Sequence, residues 1–476
     1  MTENNNQINN NQKKWYEKIP NAYVLLFIVI VVASILTYVI PAGTYERELI
    51  NGREAVVPGT FHLIDQTPVG FLDVFMSIPL GLRSAADVVF IVFVAGAFFG
   101  VVRATGALES GIAIVSLKYK DDPKKRTQMI WVTTFLMGAL GAVVGFENLI
   151  IFIPIGVIVS LGLGLDLMVA VAMVLGGIAV GFASSPINPY TVGVSHAIAE
   201  LPLFSGMGLR TAYLLVALAA LSHHTSRYAK KICDDPEMCL VKDVSVEGLG
   251  FTKRLEDYTF TSTHKWTVIG LILTIAVLIF GIVQYDWYLV EMMGLFILAA
   301  IVIGVFIARF DSDRLVKEMV DGAAGLTIGA IIIGVARGIQ VILEQGNIGD
   351  TIIHSLATPL AGLPTIVAAL LMSIVHGVIN IFIPSGSGQA MATMPIMIPL
   401  SDLIGMTRQT AVLAFQIGDG IMNLIVPTLG GMMAMLAMAR VPYERWFRFI
   451  APFVVKFVLI GWIFTLIAVL TNYGPF

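Results

Sequence analysis

Gly145-Phe-Glu-Asn148 and Ser184-Ser-Pro-Ile-Asn-Pro-Tyr-Thr191 bracket a run that is otherwise almost all apolar, and this stretch decides the fold. Moved 241 positions along the chain, it meets its own echo. Gly145–Asn148 falls on Gly386-Ser-Gly-Gln389, Pro154 on Pro395, Gly164 on Gly405, Gly177 on Gly418 and Pro186 on Pro427. The preceding Thr105-Gly-Ala-Leu108 lies over Gln345-Gly-Asn-Ile348 at nearly the same offset. Two halves whose hydrophobic segments are interrupted at matching places point to a secondary transporter. Backbone freed from its helix at membrane depth is tolerated only where it lines a cavity or lies buried in protein. Matched breaks in both halves therefore mark a ligand site more readily than ordinary helix kinks do.

Composition places the chain in lipid. Of 476 residues, 57% are hydrophobic and only 13% charged, against about 25% in soluble domains. The mean hydropathy is +0.86. No basic block points to nucleic acid. Cys233 and Cys239 fall in a polar loop expected in the cytoplasm, where a disulfide is not expected. Asn4–Gln12 reads as a disordered polar tail, and Ile19–Ile40 is too long for a signal-peptide core. The expected fold class is all-α: a polytopic membrane protein with two inverted repeats, each holding a re-entrant helical hairpin and a discontinuous helix.

In order, the chain reads as a tail (1–18), a first repeat (19–230), a cytoplasmic loop (231–265), linking scaffold helices (266–322) and a second, inverted repeat (323–476). Tyr23–Ile40 is the first span. Asn51-Gly52 between two β-prone runs signals a hairpin in the outer segment, and Val69–Leu82 an amphipathic helix lying at the interface. Trp131–Val144 and Leu149–Leu163 are short enough for the arms of one hairpin, as are Ile366–Phe382 and Ala390–Leu403. The discontinuous helices are Leu167–Ala183 with Val192–Ala199, and Thr410–Leu424 with Met432–Met438. With nine full spans, two hairpins and a cytoplasmic N-terminus, the loops assigned to the cytoplasm hold 22 Lys and Arg. The outer segments hold five: Arg47, Arg53, Arg83, Arg210 and Arg408. That asymmetry fits the positive-inside rule and puts the C-terminus outside an inner membrane.

Charges at membrane depth are functional candidates by default. Glu147 sits at the first hairpin tip. Asp419 precedes the second break, and Gln416, Asp419 and Asn423 share a helix face. Arg337 lies mid-span and needs a carboxylate or a bound anion, with Asp419 or Glu344 as the structural partner. Asp87, Arg103 and Glu109 fall near span ends. His196 and His376 read as packing histidines before proton relays. Asn148, Ser184, Ser185, Asn188, Tyr190, Thr191, Asn380, Ser385, Ser387, Gln389, Asn423 and Thr428 supply neutral hydrogen-bonding groups at the breaks. No metal site and no cofactor is expected, beyond coupling to Na⁺ or H⁺.

Ile381-Phe-Ile-Pro-Ser-Gly-Ser-Gly-Gln-Ala390, Phe415-Gln-Ile-Gly-Asp-Gly420 leading into Asn423-Leu-Ile-Val-Pro-Thr428, and Tyr443-Glu-Arg-Trp446 resemble the YfcC-like group. That group is related to the anaerobic C4-dicarboxylate carriers and the arginine/ornithine antiporters of the ion transporter superfamily. The resemblance covers nearly the whole chain. It implies an inner-membrane transporter with a scaffold, a moving transport domain of two hairpins and two broken helices, and often a homodimer. The first break, Ser-Ser-Pro-Ile-Asn-Pro-Tyr-Thr, departs from the Ser-Asn-Thr triplets of the superfamily's dicarboxylate transporters, so their ligand assignments do not carry over.

The expected function is alternating-access transport of a small amino acid or carboxylate. Acidic Glu147 and Asp419, with no Lys or Arg at either tip or break, favour a basic amino acid antiporter exchanging arginine for ornithine. The alternative is a C4-dicarboxylate moved with Na⁺ or H⁺, held by helix N-termini, serines and Arg337. An enzyme is disfavoured because no His-Glu-x-x-His zinc motif and no Gly-x-Ser-x-Gly elbow is present. A channel differs by showing no counter-transport.

Overall fold

The computed structural model describes residues 22–50, 53–111, 113, 122–246, 258–285, 287 and 289–474. The N-terminal tail, the Asn51-Gly52 turn and parts of the basic and central loops (114–121 and 247–257) lie outside the described residues. Helices dominate. In the first half they are α1 (Ala22–Val39), α2 (Phe71–Ser84), α3 (Ala86–Ala104), α4 (Pro123–Val144), α5 (Ile153–Gly162), α6 (Leu167–Ala183), α7 (Val194–Ile198) and α8 (Met207–Asp234). In the second half they are α9 (Ser262–Tyr285), α10 (Leu289–Ile307), α11 (Ser312–Ala324), α12 (Thr327–Gln345), α13 (Gly349–Ala357), α14 (Thr365–Phe382), α15 (Gly386–Leu403), α16 (Arg408–Met422), α17 (Gly430–Met438) and α18 (Tyr443–Leu470). Five of them, α3, α4, α10, α14 and α18, are long and apolar enough to cross a membrane.

Strand content among the described residues is confined to the outer segment. β2 (Arg47–Ile50) and β3 (Arg53–Val56) pair antiparallel with Ile50 opposite Arg53, the register a two-residue turn demands. β1 (Gly43–Thr44) pairs with β4 (His62–Leu63). The Tyr45 backbone N–H and the Arg47 guanidinium both bind Asp350 at 3.0 Å, which pins this outer cap to α13.

The 241-residue offset reappears in the elements themselves. α2 starts at Phe71 and α11 at Ser312; α3 starts at Ala86 and α12 at Thr327. Left-handed turns recur with the same spacing, Gly106 with Asn347 and Gly164 with Gly405. The pairs pack crosswise: α2 lies along α12, the counterpart of α3, and α3 along α11, the counterpart of α2. Glycine makes these crossings possible. An added Cβ at Gly81 would sit 2.3 Å from the Gly334 carbonyl oxygen, and one at Gly322 2.3 Å from that of Gly96. Gly96 with Gly100 and Gly334 with Gly338 are each spaced as the small-residue motif that lets membrane helices approach backbone to backbone. The expected interfacial helix therefore differs in its setting: α2 buries Ser77 and Gly81 along its length against α12.

Each half then packs a long helix against its own broken helix, α4 on α6 and α14 on α16. Gly177 stands over the Thr134 carbonyl and Gly418 over that of Ser373. α4 is longer than expected. Asp122 caps Lys124 and Lys125 with Pro123 in the first turn, so α4 begins eight residues before Trp131 and reaches the length of a span. The broken helices meet each other where Gly420 rests on Ala183, which places both breaks and both hairpin tips in one region.

Candidate functional site

Local sequence sets each break. Ser184 ends α6, and its hydroxyl folds back on the Val180 carbonyl. Pro186 and Pro189 prevent the helix from resuming at once. Asn188 Oδ1 then accepts from the N–H groups of Tyr190 and Thr191, capping the next turn. In the second half α16 ends at Met422, and Pro427 separates it from α17, which begins at Gly430. Ser385 caps α15 by accepting from the Gly388 N–H at 3.3 Å. Gly145 takes φ = 106°, a conformation closed to most side chains, so the first tip needs glycine there.

These turns enclose a cavity of about 100 Å³. Glu147, Asn148 and Tyr190 line it from the first half; Ser385, Ser387 and Asn423 line it from the second. Six of the expected site residues thus share one space, drawn from both tips and both breaks. Glu147 is half-buried there and makes no salt bridge among the described residues. Its Cγ lies against Gly431, in the first turn of α17, where a helix N-terminus favours a carboxylate. The N-terminus of α15 opens on the same cavity through Gly386 and Ser387.

Behind the lining lies a layer of buried groups with open valences. Asn380 Nδ2 donates to Asp419 Oδ1 at 3.0 Å, while Asp419 Oδ2 has no partner. Thr191 Oγ1, Asn188 Nδ2, Asn380 Oδ1 and Asn423 Oδ1 are likewise buried without a partner among the described residues. Such groups are costly unless something satisfies them. An added Cβ on Gly386 would touch Thr191 and Phe182 and stand 3.5 Å from Asp419 Oδ2, so this layer lies directly behind the cavity wall at Gly386.

Other expected site residues are committed elsewhere. Ser185 Oγ donates to the Ala142 carbonyl at 2.6 Å, Thr428 Oγ1 to Ile381 at 2.9 Å and Gln389 Nε2 to His376 at 2.9 Å. They hold the breaks and the second hairpin in shape. Gln416 does not join Asn423 at the cavity: its amide donates to the Ser185 carbonyl and accepts from Arg210. The ion pairs expected for Arg337 do not form. Its Nε reaches Ser84 Oγ at 3.4 Å, and Glu344 accepts from Gln340 instead.

Arg210, assigned by the sequence to an outer segment, is completely buried. Its guanidinium donates to Gln416 Oε1 (3.2 Å), Gln409 Oε1 (2.9 Å) and the Ser205 carbonyl (3.0 Å), and lies over the Tyr473 ring. No carboxylate pairs with it among the described residues. His196 joins the network through Gln409 at 3.2 Å. His376, also fully buried, packs edge-on to Phe415.

Apolar helices long enough to cross a bilayer, folded around a polar cavity that two pairs of broken segments enclose, define a multi-pass membrane transporter. The family model of DcuC, the C4-dicarboxylate anaerobic carriers, matches residues 19–470, and the chain belongs to that family. A protein of Haemophilus influenzae described as uncharacterized is 28% identical to it, over 96% of this chain and 98% of that one. An Escherichia coli K12 protein named "Putative basic amino acid antiporter YfcC" is also 28% identical, over 92% and 93%. Among solved structures, MtrF of Neisseria gonorrhoeae, described as one of a class of antimetabolite efflux pumps, aligns with a TM-score of 0.41 at 18% identity, covering 96% of this chain and 97% of that one. The YdaH transporter of Alcanivorax borkumensis aligns with a TM-score of 0.41 at 16% identity, covering 96% and 100%.

Proposed function

We propose that the chain is a secondary antiporter of basic amino acids that works by alternating access, with the cavity between the two tips as its substrate site. The observation that supports this most is the opposed chemistry of the cavity walls. One side presents the Glu147 carboxylate, already seated at the start of α17; the other presents the Ser385-capped start of α15 and the Ser387 hydroxyl. A zwitterion satisfies both, its ammonium on Glu147 and its carboxylate on the α15 N-terminus. The unpartnered Asp419 Oδ2 behind Gly386 then serves the second positive charge of a basic side chain.

The common offset of elements and left-handed turns supports reading the halves as inverted repeats, with 123–162 and 365–403 as re-entrant hairpins. In that arrangement α4, α5 and α6 move with α14, α15 and α16 as the transport unit. The crossed glycine-packed helices α2, α3, α11 and α12 belong to the frame. The lysine and arginine bias supports an N-terminus on the inner side of the membrane and a C-terminus outside.

A second reading, a C4-dicarboxylate carrier coupled to Na⁺ or H⁺, draws on the half-buried Arg337, which makes no salt bridge among the described residues. It would make Arg337 an anion ligand and leave Glu147 and Asp419 to the coupling cation. Counterflow in proteoliposomes separates the two. Vesicles loaded with unlabelled arginine or ornithine accumulate labelled arginine under the first reading. Accumulation only of succinate or fumarate, in vesicles loaded with those acids, overturns it and establishes the second.

A further inference from the structure

Far from the cavity, α8 and α18 pack side by side through Tyr213 on Phe457 and His224 on Phe449. His224 Nε2 lies 3.0 Å from the Phe449 carbonyl oxygen. Toward the C-terminal end of α8 the two helices flank a groove of about 1210 Å³. Its charges are sorted. Its acidic groups lie at the end of α8 and beyond it, and at the start of α18, and they are partly spent: Asp243 on Arg445 at 2.8 Å, Glu237 on Lys242. Nearer the middle of the two helices the lining is basic, with Arg227, Lys230 and Lys456. None of these three makes a salt bridge among the described residues. His224 lies in the same lining, as do Lys231 and Arg448.

Lys456 is the telling residue. It lies thirteen residues into α18, about 20 Å along the axis, on a face that exposes Val455 (61%), Leu459 (51%) and Ile463 (57%). An exposed apolar stripe on a membrane helix faces acyl chains. A lysine within such a stripe directs its ammonium toward the headgroup layer, and here it shares the groove with Arg227 and Lys230 and makes no salt bridge among the described residues.

We propose that this groove between α8 and α18 binds an anionic phospholipid, with a headgroup phosphate bridged by Arg227 and Lys456 and the acyl chains lying along Val455, Leu459 and Ile463. The phosphate neutralises cations that the chain leaves uncompensated, and the stripe supplies the apolar contact that a free phosphate cannot use.

The test is lipid retention measured by native mass spectrometry. The full-length protein is equilibrated with equal amounts of diphosphatidylglycerol and phosphatidylcholine and then released from its micelles. Wild type is expected to retain the anionic lipid over the zwitterionic one by about fivefold or more, the order expected of one uncompensated basic residue near a membrane surface. Arg227→Gln/Lys456→Gln should lose that preference while unfolding at the wild-type temperature; Lys242→Gln, whose lysine pairs with Glu237 outside the stripe, should keep it. Equal retention of both lipids by wild type, or an undiminished preference in the double variant, overturns the proposal. So does displacement of the bound lipid by excess inorganic phosphate, which would make the groove a phosphate site with no part for the acyl chains.

Discussion

Gln416 Nε2 donates to the Ser185 carbonyl oxygen at 2.6 Å, so a single amide on the second half's broken helix holds the first half's break open. The other end of the same amide accepts from Arg210. Gln416→Leu would leave a buried carbonyl and a buried guanidinium short of partners, at about 1–3 kcal/mol for each group left unsatisfied. The expected result is a clear drop in thermal unfolding temperature in detergent, with a smaller drop for Gln416→Glu, which keeps an acceptor for Arg210. Wild-type stability for Gln416→Leu would mean the network has no structural weight.

Arg210 itself makes three directed contacts from one planar group. A lysine ammonium cannot reproduce that fork. Arg210→Lys should therefore lower the unfolding temperature nearly as much as Arg210→Met. Full rescue by lysine would show that charge alone is what the site needs.

Glu147 lines the cavity and makes no salt bridge there, so Glu147→Gln should keep the fold and lose exchange. Counterflow should fall to background while the unfolding temperature stays within a degree or two of wild type, the scale of a surface change. Normal exchange by Glu147→Gln would remove the residue from the mechanism.

The serines divide into two groups that can be told apart. Ser387 lines the cavity, whereas Ser185 is spent on the Ala142 carbonyl. Ser387→Ala should weaken apparent substrate affinity by roughly fivefold, the worth of one hydrogen bond of about 1 kcal/mol. Ser185→Ala should act on stability first. Equal affinities for wild type and Ser387→Ala would move the substrate away from the second tip.

Outside the membrane, burial pushes the Cys239 thiol up to about 11, with the Asp166 carboxylate that its Sγ approaches at 3.2 Å opposing ionisation further. The reactive thiolate is therefore scarce near neutrality and grows as pH rises toward that value. In a Cys233→Ser background, alkylation of Cys239 should accelerate about tenfold per pH unit between pH 8 and 10. A rate that levels off below pH 9 would show that the thiol ionises normally.

Much of this architecture is legible in the sequence because it rests on backbone chemistry that side chains announce. Pro186 and Pro427, Gly145 and Gly386, and the offset between them mark breaks and tips wherever the rest of the chain lies. Hydropathy also finds α3, α10, α14 and α18. The length of α4 was missed because Lys124, Lys125 and Arg126 read as loop, whereas the Asp122 cap with Pro123 starts a helix through them. Arg210 was missed for a different reason. A charge beside an apolar run reads as the edge of the membrane, and its burial depends on Gln409 and Gln416, some two hundred residues away. The same limit applies at Arg337, whose nearest hydrogen-bonding group is Ser84, on a helix that only the fold brings alongside.

The crossings of α2 with α12 and of α3 with α11 also bear on the membrane voltage. With the backbone of Gly81 against Gly334 and that of Gly96 against Gly322, not even a methyl group fits between the paired helices. A file of water molecules needs more room than that, so none passes between the helices at those two crossings. Replacing these glycines with larger residues would force the helices apart there, and the expected cost is to electrical tightness as well as to folding.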